Sequence, residues 1–402
     1  MIQRNKYLEE LKNWKDKDLI KAVTGIKGCG KSTLFELFIN YLKENDVSEE
    51  QIIHINLEDG DYDFLTNYKE LYEYVKSKLV PNKMNYVFLD EVQNVEKFQK
   101  AVDSLYIKKN VDVYITGSNA YLLSGELATL LSGRYIEIKM LPLSFKEYVT
   151  AFNDNNYGQL FLDYMKNGGM PGNISILKSN PNDIDKYLDG IFSTIVYKDI
   201  MVRNNISDKI LLESIIKYIF DSIGSPISTK KISDTLTSKG ISTSNHTVEN
   251  YITAFLESFL IYKAERFDVK GKNLLARDYK YYVVDTGLRS YLLGKKADSD
   301  MGHILENIVY LELLRRGYKV YVSKVDDLEV DFVAENRDGL KYYQVALTVR
   351  DEKVLEREIR VLQKTGDHYP KVLLTLDMDL TSDYDGITKI NVVDWLLNDK
   401  YN

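Results

Sequence analysis

Eight residues near the N-terminus, Gly25-Ile26-Lys27-Gly28-Cys29-Gly30-Lys31-Ser32, constrain the fold more than any other stretch of the chain. They satisfy G-x-x-x-x-G-K-[S/T] at every fixed position and lie between an apolar run, Leu19 to Gly25, and a helical pattern opening at Ser32. Strand, loop and helix in that order are the context such a loop requires. Its glycines let the backbone close around phosphate oxygens, while the loop amides and the helix N-terminus supply donors. Lys31 is the residue to reach the β- and γ-phosphates, and Ser32 the one to ligate magnesium. Gly25, Gly28, Cys29, Gly30, Lys31, Ser32 and Thr33 are therefore the candidate nucleotide-binding residues, Cys29 being read as a small filler. The expected ligands are a nucleoside triphosphate and Mg2+.

What surrounds this loop sets the fold class. Strand-like runs at 52–57, 85–90, 111–117 and 134–140 alternate with helical patterns at 68–79 and on to Lys109. Such alternation predicts an α/β fold, a parallel sheet with helices on both faces. The run Tyr86-Val87-Phe88-Leu89-Asp90-Glu91 ends in two carboxylates. Downstream of a phosphate loop it reads as a Walker B element, with Asp90 in the magnesium shell and Glu91 polarising the attacking water. Ile115-Thr116-Gly117-Ser118-Asn119 closes the next strand, so Asn119 or Ser118 is a candidate sensor of the γ-phosphate, the plain alternative being a simple turn. Arg134 is a candidate arginine finger acting in trans; the competing reading is an ion-paired surface arginine.

Bulk properties bound the remainder. At 402 residues two or three domains are expected. The N-terminus is too charged for a signal peptide, and no apolar run approaches a membrane span, so a cytoplasmic protein with no membrane partner is expected. A single cysteine excludes an internal disulfide and a multi-cysteine zinc site. The formal net charge of −7 argues against a protein coated for nucleic acid, but Pro226 to Tyr282 holds nine Lys/Arg against six Asp/Glu.

The P-loop together with LDEVQ, ITGSN, LLSGRY, LPLSFKEY and GGMPG resembles the ATPase module of a prokaryotic family of AAA+-like ATPases with a C-terminal domain of unknown function. The resemblance makes ATP the expected nucleotide and an ATP-hydrolysing switch or motor the expected function, the alternatives being an ATP-regulated metal-dependent DNA nuclease and a DNA-binding regulator that holds nucleotide without hydrolysing it. It implies a five-stranded core in which another strand separates the P-loop and Walker B strands, then a winged helix and a small domain similar to PD-(D/E)xK nucleases. It also allows a homo-oligomer. The corresponding expected domains are 1–143, a P-loop core; 144–204, a helical lid or connector; 205–294, a winged helix; and 295–402, the nuclease-like domain.

Two further groups of residues bear on partners. Lys230 and Lys231 open one predicted helix, Ser244 to Thr247 open the next, and Arg266, Lys270, Lys272 and Arg277 populate a predicted hairpin around Gly271. Polar residues so placed suit DNA edges and basic ones suit phosphates, which makes double-stranded DNA one candidate partner and a docked protein the other. In the last domain Glu306, Asp331 and Gln344 occupy the positions of a nuclease-like site. A metal-dependent nuclease needs a second acid and a lysine two residues later. Here the sequence has Gln344-Val345-Ala346, so a degenerate, binding-only domain competes with an active one, and Lys341 is the nearest candidate replacement for the lysine.

Overall fold

The computed structural model describes residues 2–120, 131, 133–152, 154–268, 273–294, 300–325, 327–379 and 382–401, save the side chains of 273–278. It divides into two compact units: Met1–Pro142 with Glu257–Phe259, and Leu143–Leu256 with Leu260–Asn402.

In the first unit five strands form one sheet: β1 (Ile20–Thr24), β2 (Ile52–Asn56), β3 (Asn85–Asp90), β4 (Val111–Gly117) and β5 (Tyr135–Lys139). The order is β2-β3-β4-β1-β5, and every pairing is parallel. Strand β4 thus separates the P-loop strand β1 from the Walker B strand β3, as the resemblance implies. Side chains alternate across the sheet because successive strand residues point to opposite faces. Val87, Leu89, Val113 and Ile115 pack with Leu71, Val75 and Leu105 of the helices α3 (Tyr68–Lys78) and α4 (Phe98–Tyr106). On the other face Phe88 and Tyr114 stack at 4.7 Å and meet Phe35 and Phe38 of α2 (Lys31–Glu44). Both faces are therefore covered, and the strands are buried from end to end in β1, β3 and β4.

The second unit starts with helices at Phe145–Thr150, Tyr157–Asn167, Pro171–Ser179 and Ile184–Thr194, the last running into a π-helical stretch, Ile195–Val202. Helices Lys209–Asp221, Thr229–Ser238 and Asn245–Glu257 follow, with the two-residue β6 (Pro226–Ile227) before the second of them. Then come β7 (Ile261–Asp268) and β8 (Asn273–Val283), an antiparallel pair. The tip of this hairpin, with Lys270, Gly271 and Lys272, lies outside the described residues. After helix Thr286–Leu293, the C-terminal part runs helix Met301–Arg315, β9 (Lys319–Val325), β10 (Leu328–Asn336), β11 (Gly339–Ala346), helix Glu352–Gln363 and β12 (Lys371–Thr375), closing with β13 (Ser382–Tyr384) and β14 (Ile387–Asn391).

Among the described residues of this unit all nine strands belong to one sheet, in the order β13-β14-β12-β11-β10-β9-β7-β8-β6. The parallel pairing of β7 with β9 joins the hairpin to the C-terminal strands. The expected boundary at residue 294 therefore falls within a shared sheet. Pairing between strands some fifty residues apart leaves no local periodicity in the sequence, which is why the chain reads there as two blocks.

The Gly168–Gly172 turn has a specific cause. Asp285 is buried, and its carboxylate accepts from the Gly169 amide at 2.6 Å and from the Leu288 amide at 3.0 Å, which caps helix Thr286–Leu293. A Cβ on Gly168, whose φ is +74°, would stand 2.2 Å from that carboxylate. Pro171 then starts the next helix, where its missing amide hydrogen costs nothing.

Candidate active site

Sheet polarity gathers the P-loop, the Walker B carboxylates and the end of β4 at one edge. In register, Thr24 pairs with Gly117 and Leu89 with Ile115, so the residues following β1, β3 and β4 emerge side by side. Gly25, Gly28 and Gly30 all have positive φ, and a Cβ on Gly25 would lie 2.2 Å from the Met140 carbonyl. The loop is thus closed tightly against the strand β5 exit, where only glycine fits. Arg4, itself buried, braces it from behind, donating to the carbonyls of Cys29 at 2.8 Å and Leu141 at 2.6 Å. Cys29 is fully buried, as a filler should be. Ser32 is exposed and Thr33 half-buried in the first turn of α2.

Lys31 turns inward. Its ammonium donates to the Gly25 carbonyl at 3.0 Å and pairs with Glu91 Oε1 at 3.2 Å, both side chains being buried. Burial by itself lowers the pKa of a lysine, but the Glu91 carboxylate outweighs it and holds Lys31 above its ordinary value. Burial likewise pushes Glu91 up, and Lys31 with the Gln93 amide holds it below the usual carboxylate range. Asp90 is fixed by Thr116, whose hydroxyl donates to Asp90 Oδ1 while accepting from the Glu91 amide at 2.9 Å. The other oxygen, Asp90 Oδ2, is buried with no hydrogen-bond partner among the described residues. A buried carboxylate oxygen left in this way fits a cation or its water shell.

Ser118 and Asn119 are both buried at the end of β4, alongside this cluster. Gln93 donates to Glu91 Oε2 at 2.5 Å and reaches Ser118 Oγ at 3.5 Å. Arg134 lies elsewhere. The Ile20 amide donates to the Arg134 carbonyl, which puts Arg134 at the start of β1 and a strand length, roughly 15 Å, from the P-loop of its own chain. Its guanidinium is paired with Asp103 and stands 5.8 Å from the centre of the Tyr106 ring.

A second cluster occupies the C-terminal sheet. Glu306, on helix Met301–Arg315, accepts from the Lys280 ammonium at 3.1 Å and the Tyr282 hydroxyl at 2.6 Å. Lys280 is also ion-paired with Glu329. Asp331 sits where the β9–β10 register shifts, a bulge that re-aims a side chain, and accepts from the Val345 amide at 2.8 Å. Gln344 accepts from the Asp331 amide at 3.2 Å and donates to Glu358 at 2.8 Å. Burial, and then the charge of Glu306, push the Asp331 carboxyl well above the usual range, with Lys280 opposing them. Among the described residues no group of three His, Cys, Asp or Glu is placed to hold a metal ion. Lys341 faces the Tyr318 ring instead, at 5.8 Å.

Residues 17–149 match the family described as an AAA domain, and residues 158–299 match a domain of unknown function, DUF8612. An uncharacterized protein of Haemophilus influenzae is 41% identical over 402 residues, spanning 99% of both chains. The uncharacterized protein MJ1544 of Methanocaldococcus jannaschii is 30% identical, over 93% of this chain and 85% of its own. The chain belongs to the family of these two proteins. Its fold is similar to that of the Walker-type ATPase PABY2304 of Pyrococcus abyssi, with a TM-score of 0.52 at 16% identity over 73% of this chain and 96% of that one. The first unit of this family member thus carries an AAA domain on a P-loop fold, and no helix among the described residues of the chain is long and apolar enough to cross a membrane.

Two residues of this AAA protein escaped the sequence reading. Lys280 stands in a strand between two tyrosines, with nothing in its neighbourhood to mark it as the counter-charge for acids 26 and 49 residues away. Gln93 was legible as part of LDEVQ, but only its side-chain direction connects it to Glu91.

Proposed function

We propose that the chain is an ATP-hydrolysing switch that couples its nucleotide state to duplex DNA. The observation that carries the reading is the buried constellation of Lys31, Glu91, Asp90 and Thr116 at the end of the parallel sheet. Gly25 to Thr33 would hold the ATP phosphates, with Lys31 exchanging Glu91 for them. Ser32 and Asp90 would hold Mg2+, which when bound neutralises phosphate charge. Glu91, released from Lys31, would then accept a proton from the attacking water, with Asn119 or Ser118 facing the γ-phosphate.

The DNA part of the reading rests on the second unit. Its order from Lys209 to Val283, helix, short strand, two helices and a hairpin, with β6 paired to β8, supports a winged helix. Lys230, Lys231, Lys239, Asn245 and His246 are exposed there. Such a surface supports phosphate contact with an adjacent helix reading base edges. The test is ATP turnover by the purified protein with and without duplex DNA, against Lys31→Ala and Glu91→Gln. Turnover lost in both variants and raised by DNA is expected. Turnover unchanged by Lys31→Ala removes the ATPase reading, and turnover indifferent to DNA favours a protein partner.

For the C-terminal part, the helix–three strands–helix–strand order from Met301 to Thr375 supports the PD-(D/E)xK-like fold. Lys280 against Glu306 and Glu329 favours a binding-only version, because the carboxylates are already neutralised by an internal ammonium. No nicking of duplex or single-stranded DNA beyond an Asp331→Ala control is then expected with magnesium or manganese.

A further inference from the structure

The contact between Lys31 and Glu91 raises a question the Walker elements leave open. On the ATPase reading Lys31 turns from Glu91 to the phosphates, and Glu91 then loses the ammonium that now holds its Oε1. A carboxylate freed in a buried site needs another group to keep its direction, or it samples rotamers that point away from the water it should polarise.

The structure provides one such group. Glu91 has φ +51° and ψ +49°, a left-handed conformation unusual for a non-glycine residue, and it opens a single 3₁₀ turn, Val92–Asn94. The turn brings Gln93 back over Glu91, where its Nε2 donates to Glu91 Oε2 at 2.5 Å, on the oxygen that Lys31 does not hold. The same Nε2 stands 3.5 Å from Ser118 Oγ at the end of β4. The amide orientation follows from charge: the reverse flip would set an oxygen against a carboxylate. That leaves Gln93 Oε1 buried and with no hydrogen-bond partner among the described residues, an acceptor beside the proton-accepting acid.

Resting on the ATPase reading above, we propose that Gln93 is the positioning residue of ATP hydrolysis, holding Glu91 in its reactive direction once Lys31 has turned to the phosphates and tying that direction to the Ser118 end of the sensor strand. Gln93 does not contact ATP. It acts through Glu91, by a hydrogen bond to a charged acceptor that persists in both states of Lys31.

The test compares Gln93→Met, which keeps the length and removes the hydrogen bonds, with Gln93→Asn, Glu91→Gln and the double variant Gln93→Met/Glu91→Gln. Each is measured for kcat and KM with MgATP, for equilibrium affinity with a fluorescent ATP analogue, and for Tm. Loss of one hydrogen bond to a charged group predicts a kcat roughly ten- to a hundred-fold lower in Gln93→Met, with KM, affinity and Tm unchanged. The double variant should be no slower than Glu91→Gln alone, because Gln93 has nothing to hold once the carboxylate is gone. Wild-type kcat in Gln93→Met, or a loss that adds fully to that of Glu91→Gln, overturns the proposal. Should Gln93→Met fail to fold, the same cycle with Gln93→Asn decides, with non-additivity against Glu91→Gln expected and full additivity overturning it. The ATPase reading fails separately: wild-type protein turning over no faster than Glu91→Gln removes it and this proposal together, whereas a slow Glu91→Gln beside an unimpaired Gln93→Met removes only the role of Gln93.

Discussion

At Lys280 a full positive charge is 4% exposed, held against Glu306 at 3.1 Å and against Glu329. Burial alone would lower the pKa of this lysine, but Glu306, Asp331 and Glu329 raise it above its ordinary value. The ammonium is therefore charged at any physiological pH and cannot be deleted without leaving buried carboxylates uncompensated. Breaking such a pair by removing one partner typically costs about 3–5 kcal/mol. Lys280→Met keeps the length of the side chain and should lower the stability of the second unit by roughly that amount, read as a fall in its denaturant midpoint, while ATP affinity at the P-loop stays at the wild-type value. A midpoint within error of wild type would mean that the carboxylates find another counter-charge or take up protons without loss. Lys31 is the contrasting case: equally buried beside one acid, it stands in a motif from which a phosphate-binding task is proposed. Spacing alone identified Lys31, because a P-loop lysine follows its glycines in sequence. Lys280 meets its acids only through the β7–β8 hairpin and a helix beyond it, so no spacing rule reaches it.

Elements were legible where their chemistry is local. The alternation of apolar strands with amphipathic helices up to Lys139 indicated the parallel sheet, while the strand between β1 and β3 came only from what the family resemblance implied. The helices Thr229–Ser238 and Asn245–Glu257 open where expected, at Lys230 and Lys231 and within Ser244 to Thr247, since Ser228 caps the first and Ser244 stands just before the second. The single nine-stranded sheet was not legible, because β7 chooses β9 as a neighbour through pairing that sequence patterns do not encode. Nor was the reason for GGMPG. The turn there is held by the carboxylate of Asp285, more than a hundred residues on. That carboxylate gives a pH prediction. Burial raises its pKa to about 6, against the backbone amides of Gly169 and Leu288 that lower it. The folded protein therefore keeps the proton over a range, between the ordinary value of 3.8 and about 6, in which the unfolded chain has lost it. Stability contributed by this group is present at low pH and falls as pH rises through that window, by up to roughly 3 kcal/mol. Asp285→Asn has no such titration, and it also turns an amide donor toward one of the two backbone amides. It should be less stable than wild type, with a gap widest near pH 4 and narrowing toward pH 7, as urea titrations at a series of pH values would show. A gap independent of pH would mean that Asp285 is ionised in the folded protein throughout.

For the whole molecule, the polarity of a parallel sheet decides what one chain can do alone. The P-loop, Asp90, Glu91 and Asn119 follow the C-terminal ends of β1, β3 and β4, whereas Arg134 precedes β5 and pairs through its carbonyl with the start of β1. No rotamer of an arginine spans the strand between them. Arg134 therefore contributes nothing to the site of its own chain, and as a half-exposed arginine paired with Asp103 its contribution to stability is small. Two outcomes follow. In dilute solution Arg134→Ala should hydrolyse ATP at the wild-type rate, with wild-type affinity and a nearly unchanged Tm. If a second copy presents Arg134 to a neighbouring P-loop, wild-type specific activity must rise with protein concentration and that of Arg134→Ala must not. Mixing at high protein concentration then isolates the effect: Arg134→Ala chains retain an intact P-loop, and Lys31→Ala chains retain the arginine, so an equimolar mixture exceeds the summed activities of the two variants measured alone. Specific activity independent of concentration, with no recovery on mixing, would assign Arg134 to its pair with Asp103 and make the nucleotide site complete within one chain.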